Sequence, residues 1–300
     1  MQFYLAPLEG ITTHIYRRAF FKYYGGVDKY FTPFITSATM SHRERQDVLP
    51  ENNEGMELVP QILTNKSEEF LEIAKALQDL GYDTVNLNLG CPSGTVVSKK
   101  RGAGMLSDLE FMKNFLDEIF DKCQCRISIK TRIGIEDVAE WDELLKVYKN
   151  YPMEELIIHP RLQKEFYRGS VHPDAYSRAD EVLDVPLCYN GDITSLEKLD
   201  EFKEALPEDL NRVMIGRGLI STPQMLVRDF DLSTFRNFHD EIYHAYQDCM
   251  SGCKPTLFKM KELWAYWISN FTDEKRPLKK IQKANHFKDY EEAVACLFTI

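Results

Sequence analysis

No apolar run in this chain of 300 residues is long enough to cross a bilayer. The start of the chain has no basic leader segment and no cleavage site, so no signal peptide is expected. The seven cysteines are odd in number and follow no pairing framework, which predicts free thiols and a cytoplasmic location. Cys123-x-Cys125 has no histidine partner nearby, and Cys249-x3-Cys253 has His244 upstream but no fourth ligand, so no metal is expected. There is no Gly-x-Gly-x-x-Gly fingerprint for a resident dinucleotide. Positive charge is outnumbered, 37 Lys and Arg against 47 Asp and Glu for a net of −10, which taken globally argues against nucleic-acid binding. It is not evenly outnumbered. Lys254 to Lys288 holds nine basic and three acidic residues, a local +6 on a body of −16. A basic segment on an acidic body fits a local phosphate-binding surface.

What is present is repetition. Eight short apolar segments recur: Phe3–Leu8, Lys29–Ile35, Leu58–Leu63, Thr84–Leu89, Ile127–Arg132, Leu156–Arg161, Val185–Asn190 and Arg212–Gly216. Most read as continuous, as in parallel strands covered on both faces. Helix signals lie between them. Ser67-Glu68-Glu69 opens a run with Phe70, Ile73, Ala74 and Leu77 on one face, closed by Gly81. Ser107-x-x-Glu110 and Thr194-x-x-Glu197 read as capping boxes. Eight such units in about 220 residues predict an α/β fold, a (β/α)8 TIM barrel. After Pro223 the strand pattern stops and a helical, aromatic pattern begins. The expected division is a barrel over residues 1–228 and a small all-helical domain over 229–300.

Barrel chemistry sits at the C-terminal ends of the strands. Those ends carry Pro7-Leu8-Glu9-Gly10, Gln61, Asn86, Asn88 and Cys91, Lys130 and Arg132, His159 and Arg161, Asn190-Gly191-Asp192, and Gly216-Arg217-Gly218. Polar groups in apolar strands are costly unless they serve a partner, so one cluster per strand points to a binding site. The last two triplets fall where barrels commonly hold phosphate: glycines admit backbone N–H groups and Arg217 adds charge. Gln61, Lys130, His159 and Asn190 suit the polar edge of a flavin ring, where a lysine stabilises the reduced anion. Lys130 could instead pair with a buried carboxylate, and Cys91 could be a small buried apolar residue.

Together, Ala6-Pro7-Leu8-Glu9-Gly10, Gln61, Asn88-Leu89-Gly90-Cys91-Pro92, Gly102-Ala103-Gly104-Met105-Leu106, Lys130-x-Arg132, His159-x-Arg161, Asn190-Gly191-Asp192 and Gly216-Arg217-Gly218 resemble the tRNA-dihydrouridine synthase family. The likeness runs from residue 5 to about 220, and Gly-Cys-Pro with its downstream Gly-Ala-Gly is its most specific part. It implies an enzyme that holds FMN at the barrel mouth and is reduced by NADPH. Hydride then passes from flavin N5 to C6 of a uracil in tRNA, and the cysteine at the position of Cys91 protonates C5. A thiol titrating near ~8.5 is mostly protonated at neutral pH and can act as that acid. The implied FMN contacts are Pro7, Leu8, Glu9, Gln61, Lys130, His159, Asn190, Gly191, Asp192, Gly216 and Arg217.

A uracil inside folded RNA must be splayed out to reach a barrel-bound ring. Asn88 and Arg161 are the expected contacts to uracil and phosphate, and Lys99, Lys100 and Arg101 the expected grip on the backbone. Lys254, Lys259, Lys279, Lys280 and Lys283 of the tail are expected to track phosphates, while Trp264 and Trp267 read as core. The chain departs from the family pattern at Thr13, where an Asp is usual, and at Pro160 and Leu162, where Gly and Thr are common. Two other readings compete: an FMN oxidoreductase of a small molecule, like dihydroorotate dehydrogenase or an ene-reductase, and a tRNA-binding factor without catalysis.

Overall fold

The computed structural model describes residues 1–207, 210–227, 229–271 and 275–298. Nine parallel strands form one sheet: β1 Gln2–Leu5, β2 Lys29–Phe31, β3 Leu58–Val59, β4 Gln61–Ile62, β5 Thr84–Leu89, β6 Arg126–Arg132, β7 Glu155–His159, β8 Leu187–Tyr189 and β9 Arg212–Ile215. β1 pairs with both β2 and β9, and the ladder continues through β8, β7, β6 and β5 to β4. β2 pairs with β3. β3 and β4 are two halves of one stave split at Pro60, which has no N–H to give the ladder. Its carbonyl still accepts from the Asn86 N–H at 2.8 Å. The result is a closed barrel of eight staves, wrapped by the intervening helices and followed by helices alone: a TIM barrel with a C-terminal helical part.

Two of the staves alternate. In β5, Val85, Leu87 and Leu89 belong to the core under the helices, while Asn86 and Asn88 bond Gln61 across the sheet. In β6, Ile127 and Ile129 face outward, and Ser128 takes a hydrogen bond from Asn86. The inward face of the remaining staves is filled lower down by Tyr4, Phe31, Val59, Ile157, Cys188 and Met214. Tyr4 also crosses the interior to donate to buried Glu155 at 2.8 Å. The apolar plug therefore occupies one end of the barrel, and the inward polar residues are left for the other end.

Both capping boxes shift by one residue. The helix Leu109–Lys122 is capped by Asp108, which accepts from the Phe111 N–H; Ser107 ends a 3₁₀ turn and donates back to Gly104. The helix Leu196–Ala205 is capped by Ser195, not Thr194, through the Lys198 N–H. In each case two adjacent residues have capping side chains, and the turn that delivers the chain selects the second.

The helices Leu232–Cys249, Cys253–Trp267, Lys275–Lys283 and Phe287–Ala295 enclose Phe235, Phe238, Trp264, Trp267 and Tyr290, all fully buried. A polar thread runs through this aromatic core. The Trp264 indole donates to the Tyr290 hydroxyl at 2.8 Å, Tyr290 meets His239 Nε2 at 2.7 Å, and His239 Nδ1 meets Asp240 at 2.8 Å. Every group in it is satisfied when the imidazole is neutral with its proton on Nδ1. The helical part docks on the first β/α unit through Tyr16 and Tyr24, whose rings meet Phe238 edge-on at 5.6 and 5.1 Å. Thr13, the departure from the family pattern, contacts the Tyr246 hydroxyl there at 3.2 Å. No helix among the described residues is long and apolar enough to cross a membrane.

Candidate active site

The strand C-termini open into a cavity of about 540 Å³ between the barrel mouth and the helical part. Cys91 lines it, as do Pro7, Leu8, Glu9, Gln61, Asn88, Lys130, His159, Asn190, Gly191, Asp192, Gly216 and Arg217. Arg161 and the basic loop Lys99–Arg101 are not in the lining.

Parity explains the gathering. β5 turns Asn88 inward, and its side chain fixes the loop that leaves the strand. Asn88 Oδ1 accepts the N–H groups of Gly90 and Cys91 at 3.0 and 2.9 Å, and its Nδ2 donates to Gln61 Oε1 at 2.8 Å. Gln61 Nε2 donates to Asn86, and Asn86 to Ser128. This chain of amides anchors the cysteine loop to three staves. From below, the 3₁₀ turn Gly102–Ser107 supports the same loop, and the Ala103 N–H donates to the Cys91 carbonyl at 3.1 Å. Gly102 is required there: its φ is +55°, and a Cβ would stand 2.9 Å from the Cys91 carbonyl oxygen. Burial pushes the Cys91 thiol up from its ordinary range, against weaker pulls from the Ser93 N–H, Arg132 and Lys130. The sulfur is therefore a protonated thiol at neutral pH.

Lys130 is half-buried on the cavity wall, and among the described residues its ammonium has no hydrogen-bond or ion-pair partner. No carboxylate among the described residues pairs with it, the alternative that the sequence left open. Burial first, and Arg132 second, pull its pKa down to about 8. His159 is held well below its usual range by burial and then by Arg132, Lys130, Arg161 and Arg217, so it is neutral. An unpaired, half-buried cation beside a neutral imidazole is a place for an electron-rich ligand edge.

Opposite, Asp192 organises the arginines. Arg161 is buried and donates to both Asp192 oxygens, through Nη1 at 2.8 Å, and Arg217 donates to Asp192 at 3.0 Å. Asp192 adopts left-handed backbone, φ +44°, a conformation open to Asp. The loops after β8 and β9 touch at Gly218, where a Cβ would lie 2.2 Å from the Ile193 carbonyl oxygen, so no other residue fits. Of the basic loop, Lys100 pairs with Asp108, and Arg101 pairs with Glu69 and bonds Asn65. Glu9 is paired with Arg43 at 2.7 Å.

Three polar lining residues carry no sequence signal. Tyr167, 54% exposed, stacks on His159, and the guanidinium groups of Arg132 and Arg217 lie 5.4 and 5.0 Å from its ring centre. Glu262 and Tyr266 reach the cavity from the helix Cys253–Trp267. That helix is pinned to the barrel by Lys259, which donates to the Gly10 carbonyl at 2.8 Å and to Glu262 at 3.2 Å.

A family profile described as dihydrouridine synthase matches residues 4–296. A probable tRNA-dihydrouridine synthase of Staphylococcus epidermidis is 28% identical over 234 residues, covering 74% of this chain and 69% of that protein. The probable tRNA-dihydrouridine synthase 2 of Bacillus subtilis is also 28% identical, over 74% of this chain and 70% of its own length. Among solved structures, histamine dehydrogenase from Rhizobium sp. 4-9 aligns with a TM-score of 0.55 at 12% identity, over 87% of this chain and 49% of that one. Morphinone reductase aligns at 0.53 and 11%, over 78% and 88%. These two likenesses show the barrel fold.

Proposed function

The chain belongs to the dihydrouridine synthase family, and from that premise we propose that it reduces the 5,6 double bond of one uridine in tRNA, with FMN as its redox group and NADPH as reductant. The observation that carries this reading is one cavity wall bearing a protonated thiol, Cys91, and an unpartnered ammonium, Lys130.

The residues present fit a flavin. Lys130 offers uncompensated positive charge to the ring edge on which reduced flavin gathers negative charge. Gln61, His159 and Asn190 supply neutral polar groups beside it, and Pro7 and Leu8 an apolar wall. Gly191, Gly216 and Arg217 serve the phosphate, with Asp192 aiming Arg217. FMN, when bound, supplies the hydride for C6 of the uracil. Charge then gathers at C5 and O4, and Cys91 Sγ gives its proton to C5. Such acid catalysis is typically worth roughly 10²–10⁴-fold. Asn88 holds the Cys91 loop and keeps one N–H for the uracil edge. Arg161 acts through Asp192. Lys99 and Lys100 face the RNA backbone, and Arg101 braces their loop against Glu69. Residues 1–228 would form the catalytic domain and 229–300 the tRNA-binding one.

The test is to map dihydrouridine by mass in tRNA from cells lacking this protein, then restore either wild type or Cys91→Ala. One lost position, regained with wild type only, is the expected result. Full restoration by Cys91→Ala would remove the acid role. In vitro, NADPH oxidation should depend on unmodified tRNA; dependence on orotate or an enone instead would overturn the substrate.

A further inference from the structure

Phe258 is 66% exposed, the most open of the large apolar side chains among the described residues. Of the large apolar side chains on the helix Cys253–Trp267 it alone is exposed. Its surroundings are mainly cationic, with one carboxylate, Glu262, a turn away and paired to Lys259. Lys254 and Lys261 lie one helical turn to either side of it. The Gln282 amide bonds the Lys261 carbonyl and draws up the helix Lys275–Lys283, on which Arg276, Lys279, Lys280 and Lys283 line a second hollow.

Position matters as much as exposure. Phe258, Glu262 and Tyr266 are spaced by four and run along one side of the helix Cys253–Trp267. Glu262 and Tyr266 line the active cavity, so Phe258 continues that wall outward to the rim. The Lys259 ammonium, fixed on the Gly10 carbonyl of the first barrel loop, sits 5.8 Å from the Phe258 ring centre. One side of the ring is thus held beside the mouth by a cation.

We propose that Phe258 is a stacking platform for an unpaired base of the RNA, a neighbour of the one drawn into the cavity. An exposed ring among lysines is the combination that binds single-stranded nucleic acid: cations follow the phosphates, and the ring takes a base face whatever its sequence. Helical RNA, whose bases are already stacked, cannot use it. This inference rests on tRNA being the substrate.

The experiment measures affinity of the flavin-loaded protein for unfractionated tRNA from cells lacking it, across a salt series, with an RNA duplex in parallel. Phe258→Ala should bind tRNA roughly ten- to a hundredfold more weakly, with the duplex unaffected and the slope against salt unchanged, because no phosphate contact is lost. Phe258→Trp should match wild type or exceed it. Wild-type tRNA affinity in Phe258→Ala, or equal weakening by Ala and Trp, overturns the stacking role alone. Failure of the wild-type protein to prefer tRNA over the duplex overturns the substrate reading, and the platform with it.

Discussion

Asn88 Oδ1 holds the backbone N–H of Cys91 at 2.9 Å, and the same oxygen holds the N–H of Gly90 at 3.0 Å. The residue before the cysteine loop therefore sets where the sulfur stands. Replacing Asn88 by Ala leaves two donors and Gln61 Oε1 without partners. Stability should fall by roughly 1–3 kcal/mol in denaturant titrations. Turnover should fall about a hundredfold, as expected when a catalytic group is displaced by an ångström. Asn88→Asp keeps the acceptor but sets a carboxylate against Gln61 Oε1, and should restore only part of each loss.

Lys130 gives a pH signature. With its pKa near 8 in the flavin-free protein, the ammonium is lost as pH rises through that value. FMN affinity should accordingly weaken above about pH 8, and Lys130→Met should bind more weakly and without this dependence. Because an unpaired, partly desolvated charge opposes folding, the same variant should make the flavin-free protein more resistant to denaturant. Equilibrium dialysis across pH and chemical denaturation check the two halves.

Gly102→Ala tests the support under the thiol. Left-handed backbone costs a non-glycine residue about 1–2 kcal/mol, and the added methyl also meets the Cys91 carbonyl. Lower stability with a disproportionate loss of turnover is expected; a variant with wild-type kinetics would show that the loop's position is set elsewhere.

Tyr290→Phe removes the hydroxyl that joins Trp264 to His239, leaving an indole N–H and an imidazole nitrogen buried and unpaired. A loss of about 2 kcal/mol or more is expected. His239 and His159 are both held neutral by burial. As pH falls below ~6.5 the unfolded chain takes up protons that the fold refuses, so stability drops by up to about 1.4 kcal/mol per histidine per pH unit. Thermal unfolding between pH 7 and 5.5 reads the slope, and His239→Gln should shallow it.

The staves were legible because buried parallel strands leave short apolar runs, and the polar residues at their ends because such groups stand out in them. Alternation in β5 and β6 passed as continuity, since only one face of each carries the polar set. The shifts from Ser107 to Asp108 and from Thr194 to Ser195 show that local chemistry names the cap only to within a residue. Contacts between distant segments were beyond reach. Arg161 and Asp192 follow neighbouring staves but stand 31 residues apart in the chain, so nothing local announces that the guanidinium is engaged. Tyr167 comes from an irregular loop, and Glu262 and Tyr266 from a helix whose docking on the mouth depends on the whole fold.

Lys259 on Gly10 makes the last helices part of the vessel rather than an appendage to it. Grafting another relative's tail onto this barrel would exchange one side of the cavity, with Glu262 and Tyr266, along with the outer surface of the helices. On the proposed function, target choice and turnover would change together, and a chimera meant to alter the first alone must keep Lys259, Glu262 and Tyr266 with the barrel.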